Sequence, residues 1–257
     1  MVLLAEDVEA EAGGKLVLRG VSIELREGEI LALMGPNGSG KTTFASAIAG
    51  SPSVVLRKGR IVLDNEEITA YPPEDRMLRG LLLLFQNPPE IPGVKLSTLL
   101  LASYNKSRGT SKDLLKVSDA SFFSRMREAA ARVGLKEEVL YREINVGFSG
   151  GERKRAELLQ AMVLNAKYIV MDEPDSGLDV DGLRVVGEFI ERMRKEGKGV
   201  LLITHYTRLF SMVRPDRIAV MVGGRIIAEG KMELAEKIDA KGYSGLAKEL
   251  GVRGIES

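Results

Sequence analysis

The sequence predicts an α/β domain with a mostly parallel core sheet, an antiparallel β part at the N-terminus and a helical subdomain inserted into the core. Three observations carry that prediction. Short, nearly all-apolar runs at 29–34, 80–85, 168–171 and 200–204 read as strands buried on both faces. Helical patterns lie between these runs, the alternation expected of a parallel sheet. From 87 to 164, by contrast, helical periodicity dominates and no comparable strand run occurs.

In chain order, strand-like runs at 2–8 and 16–25 flank the turn Ala12-Gly13-Gly14-Lys15, which predicts a hairpin. The apolar run at 29–34 leads into a Gly-rich turn and a helix over 41–49, the opening of a βα unit. Helices are expected near 96–105, 118–133 and 150–164, with a polar surface loop at 106–112. Past His205 the pattern gives a short helix, a hairpin through Gly223-Gly224 and two helices broken at Gly242. The whole chain, 1–257, then forms one domain. Segments 1–87 and 165–233 make the α/β core, 88–164 the helical subdomain and 234–257 a C-terminal helical extension.

Composition narrows the possible functions. The chain has 257 residues, 44% of them hydrophobic, enough for a sizeable core. Lys plus Arg (37) nearly balances Asp plus Glu (36), which leaves no electrostatic footprint for nucleic acid. No apolar run approaches the roughly 18 residues of a membrane span, and the N-terminus carries Glu6, Asp7, Glu9 and Glu11 where a signal peptide would be basic. Neither nucleic-acid binding nor direct membrane insertion is expected, and the cytoplasm is the expected location. Without cysteine there is no thiolate chemistry or cysteine-ligated cluster, and a single histidine argues against structural zinc.

The chemistry begins at Gly35-Pro36-Asn37-Gly38-Ser39-Gly40-Lys41-Thr42. Glycines there let backbone N–H groups turn inward around a phosphate, and the following helix adds its positive end. Lys41 would reach the β- and γ-phosphates of ATP, Thr42 would offer its hydroxyl to Mg²⁺, and Thr43 could bond the α-phosphate. The run at 168–173 delivers Asp172 and Glu173 to the C-terminal edge of a buried strand, where ligands bind in α/β sheets. Asp172 would hold Mg²⁺ through its water shell, and Glu173 would orient or deprotonate the attacking water. Gln86 ends another apolar strand and could sense either Mg²⁺ or that water. His205 ends a third, placing its imidazole near the γ-phosphate as a donor.

A second Gly-rich turn, Phe148-Ser149-Gly150-Gly151-Glu152, precedes an amphipathic helix and forms another anion-binding N-terminus. It can be a helix cap alone. One phosphate loop already serves one nucleotide, however, so a second such turn suggests a nucleotide presented by another subunit.

The order of these elements resembles that of the ABC ATPases: the loop at 35–42, Gln86, Ser149 to Glu152, Asp172-Glu173, Ser176-Gly177-Leu178-Asp179 and His205. The resemblance covers nearly the whole chain. It implies a Mg²⁺-dependent ATPase in which two copies pack head to tail. Ser149, Gly150 and Gly151 would then contact the partner's γ-phosphate, and Asp179 would link the two sites. Within the family the chain looks most like the SufC type, which serves iron–sulfur cluster assembly. The features behind this are Phe148 in place of the leucine usual in transporter ATPases, the run 175–181, the segment 85–93, Thr204-His205-Tyr206 and the tail around Gly242-Tyr243. The implied partners are SufB/SufD-type scaffold proteins. Two alternatives remain open, the ATPase subunit of a membrane transporter and a nucleotide-gated assembly module with little turnover. One departure from the transporter pattern stands out. Residues 1–43 contain no aromatic residue on which adenine could stack, so base recognition would rest on apolar contacts such as Val17.

Overall fold

The computed structural model describes residues 1–109, 113–116 and 119–251. Strands β1 (Val2–Ala12) and β2 (Lys15–Arg26) form the expected hairpin, turning through Gly13 and Gly14 at positive φ. β3 (Ile30–Met34) leads into α1 (Lys41–Ala49). After them come β4 (Val54–Leu63), β5 (Glu66–Glu67), α2 (Pro73–Leu78) and β6 (Leu81–Leu84). The next stretch holds β7 (Ile91–Lys95), α3 (Leu96–Arg108), α4 (Phe122–Arg132), β8 (Glu143–Ile144) and α5 (Gly150–Leu164). The chain finishes with β9 (Tyr168–Asp172), α6 (Val180–Lys195), β10 (Gly199–Thr204), β11 (Arg217–Val222), β12 (Arg225–Gly230) and α7 (Met232–Glu249).

The core sheet runs in the order β12-β11-β3-β10-β9-β6, parallel throughout except for the edge strand β12. Alternation along each central strand divides the core in two. Ile30, Ala32 and Met34 of β3 pack with the helices of the second half of the chain, whereas Leu31 and Leu33 pack with α1 and the N-terminal sheet. Every residue of β3, β9 and β10 is buried, which is why these strands read as continuous apolar runs.

The N-terminal sheet has the order β2-β1-β4-β5 and is antiparallel. β4 is a strand that the apolar pattern does not announce. Its middle, Arg57-Lys58-Gly59-Arg60, is exposed and charged, and it is zipped to β1 by ion pairs of Arg57 with Glu11, Lys58 with Asp7 and Arg60 with Glu6.

Other differences are local. α3 continues through Arg108, so 106–108 belong to a helix instead of the expected loop, and 110–112 lie outside the described residues. α4 starts at Phe122 rather than at 118, a position that also lies outside them, as do 252–257 of the C-terminal extension. Short β7 and β8 pair within the stretch read as helical only. The hairpin through Gly223-Gly224 and the break at Gly242, with φ 68° and ψ 170°, stand where expected.

Candidate active site

The phosphate loop leaves β3 at Gly35 in a space that admits no side chain. A Cβ there would meet the Met221 carbonyl oxygen at 2.2 Å. Gly40 takes φ 106° and opens α1 with no side-chain cap, so the orphan N–H groups of the first turn are left for a ligand. Neighbouring β11 and β12 brace the loop through their turn, where Gly224 N–H donates to the Ser39 carbonyl at 2.9 Å. Lys41 is buried, and its Nζ donates to the carbonyls of Gly35 (2.8 Å) and Pro36 (2.9 Å). Burial pushes the Lys41 pKa down, and the Glu173 and Asp172 carboxylates pull it back up.

Beside the loop lies a cavity of about 490 Å³, lined by residues 37–43, Val17, Gln86, Glu173 and His205. The sheet order explains how these meet. β3, β10, β9 and β6 are adjacent and parallel, so their C-terminal ends deliver the loop, His205, Glu173 and Gln86 to one edge. Gln86 Nε2 donates to Glu173 Oε2 at 2.6 Å. His205 Nδ1 approaches Glu173 Oε1 to 3.2 Å without the alignment of a hydrogen bond. Glu173 itself sits at φ 45°, a strained conformation for a non-glycine residue, with its N–H donating to the Ile203 carbonyl at 2.9 Å.

Asp172 is 4% exposed, and its Oδ1 is buried without a hydrogen-bond partner. Burial raises its pKa, the Thr42 hydroxyl lowers it by hydrogen bonding, and adjacent Glu173 raises it again. A buried carboxylate short of partners beside a hydroxyl fits a hydrated divalent cation. Among the described residues no group of three or more His, Asp or Glu side chains could hold a metal ion. A cation here would therefore depend on Thr42, Asp172, phosphate oxygens and water. The buried Ser39 hydroxyl is likewise unpartnered.

The second Gly-rich turn is not brought to this cavity. Ser149 caps α5 in a capping box: Glu152 N–H donates to Ser149 Oγ (3.2 Å), and Ser149 N–H donates to Glu152 Oε2 (2.9 Å). Ser149 and Gly150 are exposed, Gly151 is half-buried, and a Cβ added to either glycine would meet nothing within 4 Å. Phe148 is buried beneath the Arg142 guanidinium, which stands 4.8 Å over its ring. Asp179, also exposed, caps α6 by accepting from Gly182 N–H at 2.8 Å.

Comparison with known proteins decides the family. A family profile described as ABC transporter matches residues 18–176. The chain belongs to the ABC ATPase family. A probable ABC transporter ATP-binding protein of Streptococcus pyogenes is 40% identical over 251 residues, 98% of this chain and 97% of that protein. Vegetative protein 296 of Bacillus subtilis is 40% identical over 250 residues, 97% and 95% of the two chains. Among solved structures, the ADP conformation of an ATP-binding cassette of an ABC transporter, MJ1267, aligns with TM-score 0.75 at 26% identity, covering 98% of this chain and 99% of that one. The protein is thus an ATP-binding, ATP-hydrolysing cassette.

In this ABC ATPase two further buried groups support segments that carry site residues. Lys154 and Glu157, both buried, pair at 2.7 Å on the inner face of α5. Together they grip the residue before Gln86: Phe85 N–H donates to Glu157 Oε1 (2.6 Å), and Lys154 Nζ donates to the Phe85 carbonyl (3.1 Å). Burial raises the Glu157 pKa and Lys154 opposes the shift. The only sequence signal was two charged residues three apart on a helix face that otherwise packs inward. The other group is Asp175, also buried, which accepts from the Thr204 hydroxyl at 3.2 Å and so ties the start of the segment leading to Asp179 to the end of β10, the residue before His205.

Proposed function

We propose that the chain hydrolyses Mg-ATP as one of two copies packed head to tail, and that turnover drives conformational change in SufB/SufD-type scaffold proteins during iron–sulfur cluster assembly. The observation that carries the hydrolytic part is the Glu173 carboxylate, held by Gln86 over the phosphate-loop cavity with His205 beside it.

On nucleotide binding, Lys41 exchanges its two carbonyl partners for β- and γ-phosphate oxygens. The α1 N-terminus and the N–H groups of 37–43 cradle the phosphates, and Thr43 bonds the α-phosphate. When bound, Mg²⁺ neutralises charge developing on the phosphates. Thr42 and Asp172 would hold it, and Gln86, which lines the same cavity, would sense it. Glu173 orients the attacking water and takes its proton, kept in place by the Gln86 amide. His205 donates a hydrogen bond to the γ-phosphate. Ser149 and Gly150, exposed, and Gly151, half-buried, lie on a turn whose glycines carry no crowding and suit close approach to the partner copy's nucleotide, and Asp179 suits a link between the two sites. In this reading 88–164 is the subdomain that carries the turn, and 1–87 with 165–233 is the hydrolytic core.

The scaffold assignment is supported by Phe148, by the runs at 85–93 and 175–181, and by a mostly apolar groove of about 220 Å³ beside Gln86, lined by Leu84, Phe85, Pro88, Pro89, Ile91 and Asn145 among others. Among the described residues no helix is long and apolar enough to cross a membrane. A second reading, the ATPase subunit of a membrane transporter, is favoured by the name of the Streptococcus relative. Affinity purification of the tagged chain from its native cells separates the two. Scaffold chains should co-purify, and a multispanning membrane protein without them would overturn the cluster-assembly reading. The hydrolytic part is tested by Glu173→Gln, which should bind Mg-ATP, lose turnover and accumulate as an ATP-bound dimer in light scattering.

A further inference from the structure

The C-terminal helix touches the 205–207 segment at the edge of the nucleotide cavity without lining it. α7 leaves helical geometry at Gly242, and the residue after that break, Tyr243, is half-buried against the core. Its hydroxyl donates to the His205 carbonyl at 3.1 Å. One helical turn earlier, Asp239 Oδ1 accepts from the Thr207 hydroxyl at 3.0 Å. α7 therefore grips the 205–207 segment on both sides of Tyr206.

These contacts matter because the imidazole is loosely held. His205 Nδ1 has no aligned hydrogen bond, and the ring rests on Tyr206, itself 56% exposed, with centroids 3.8 Å apart. The backbone carbonyl is the better anchored end of the residue. Gly35 and His205 follow Met34 and Thr204, which are register partners on parallel β3 and β10. The phenolic oxygen thus anchors the residue that stands level with the start of the phosphate loop. Burial pushes the Tyr243 pKa up to about 12, so the hydroxyl keeps its proton and remains a donor.

We propose that Tyr243 is a positioning residue for hydrolysis, its hydroxyl fixing the backbone of His205 at the edge of the nucleotide cavity. This rests on the reading of His205 as the donor to the γ-phosphate. Misplacing such a donor costs little in binding and more in the transition state, where its charge is needed. The bland role for Tyr243 is packing, which its ring alone could provide.

The experiment is steady-state hydrolysis of Mg-ATP by the full chain carrying Tyr243→Phe, which keeps the ring and removes the hydroxyl. kcat should fall roughly 3- to 10-fold, the range for losing one net hydrogen bond. KM should stay at its wild-type value, the thermal midpoint should fall by no more than the roughly 2–4 °C that one lost hydrogen bond costs a chain of this size, and the double variant His205→Ala/Tyr243→Phe should be no slower than His205→Ala alone. Wild-type kcat in Tyr243→Phe overturns the proposal. So does a fall in kcat with a larger drop in thermal midpoint, the mark of a packing role, and so does a double variant slowed by the full additional factor. A slow His205→Ala beside an unimpaired Tyr243→Phe removes Tyr243 and leaves the His205 assignment standing. An unimpaired His205→Ala removes both.

Discussion

Helices α1 and α5 both begin at glycine-rich turns, yet their N-termini are built for different neighbours. At α1 the turn is enclosed: Gly35 and Gly40 press against Met221 and Leu18, Lys41 is buried, and a cavity of about 490 Å³ stands over the first turn. Gly40 offers no side-chain cap, so the orphan N–H groups await an anion. At α5 the turn is open, its two glycines meet nothing within 4 Å, and Ser149 with Glu152 already satisfies two donors. Glycine at α1 is demanded by the chain's own packing. At α5 the fold makes no such demand, which leaves the turn open for the close approach of a partner copy proposed above.

Complementation between variants of the two turns carries the largest expected effect. Lys41→Ala should remove nucleotide binding. Ser149→Arg should leave binding by the single chain within about 2-fold of wild type, because the turn is remote from its own cavity, yet lower turnover by about 10²- to 10³-fold. An equal mixture of the two inactive variants should then recover about a quarter of wild-type turnover, since half the dimers are mixed and each keeps one intact composite site. A mixture that stays inactive would put Ser149 in service of its own chain's nucleotide or of none.

The far ends of the two helices differ as well. Both end on a residue in the left-handed region, Asn165 and Gly50, with backbone caps. α1 ends in addition against Arg76, a fully buried guanidinium with no ion-pair partner among the described residues, which donates to the carbonyls of Ala47 (2.9 Å), Ile48 (2.6 Å), Thr69 (2.7 Å) and Tyr71 (2.9 Å). Desolvation lowers its pKa to about 10, so it remains charged at neutral pH. Arg76→Met should therefore cost about 2–4 kcal/mol in urea unfolding by taking the guanidinium from the Ile48, Thr69 and Tyr71 carbonyls, whereas the Ala47 carbonyl keeps its bond from the Gly50 N–H. Because α1 carries Lys41 and Thr42, the variant should also weaken nucleotide binding. A stability loss below 1 kcal/mol would show that water or a relaxed backbone replaces the guanidinium.

A smaller and more selective effect is expected at Gly150→Ala. Its φ is not in the left-handed region and its Cβ has room, so alanine should raise stability by about 0.5–1 kcal/mol through the unfolded state. Turnover should fall by about 10-fold if the Cβ holds off a partner's phosphate. Calorimetry and steady-state rates on one preparation check both. A more stable variant with wild-type turnover would make the open turn a plain helix cap.

These contrasts also mark what the sequence could disclose. The parallel strands and the ligand edge were legible because strands buried on both faces read as apolar runs, each ending in a polar residue at the same edge, Gln86, Glu173 or His205. That Gln86 and His205 converge on one carboxylate was less accessible. It depends on the strand order β3-β10-β9-β6, which no local pattern encodes. β4 escaped because charged pairs rather than apolar burial hold its middle, and the Lys154–Glu157 grip on Phe85 escaped because a buried ion pair looks like a solvated face in one dimension. Tyr243 was visible as a motif, while its hydrogen bond to a carbonyl 38 residues away was not.

The last contrast is electrostatic. α5 opens with Glu152, whose pKa is lowered chiefly by the Ser149 N–H, so its charge is paid for within the chain. Asp172, beside α1, has its pKa raised chiefly by burial, so its charge is a standing cost until a cation arrives. A folded-state pKa above the unfolded value means that the folded chain binds the proton more tightly. The Asp172 contribution to stability should therefore improve as pH falls from neutral through its folded pKa. Asp172→Asn removes the charge at every pH, so without Mg²⁺ and nucleotide it should be more stable than wild type at pH 7 by on the order of 1 kcal/mol. That advantage should shrink as acidification protonates Asp172 in the wild type, while Mg²⁺-dependent turnover of the variant falls at all pH values. Urea melts at pH 7 and at pH 5 check the sign. A variant less stable at pH 7 would show that the carboxylate is already compensated in the folded chain, and the two helix entrances would then differ in enclosure alone.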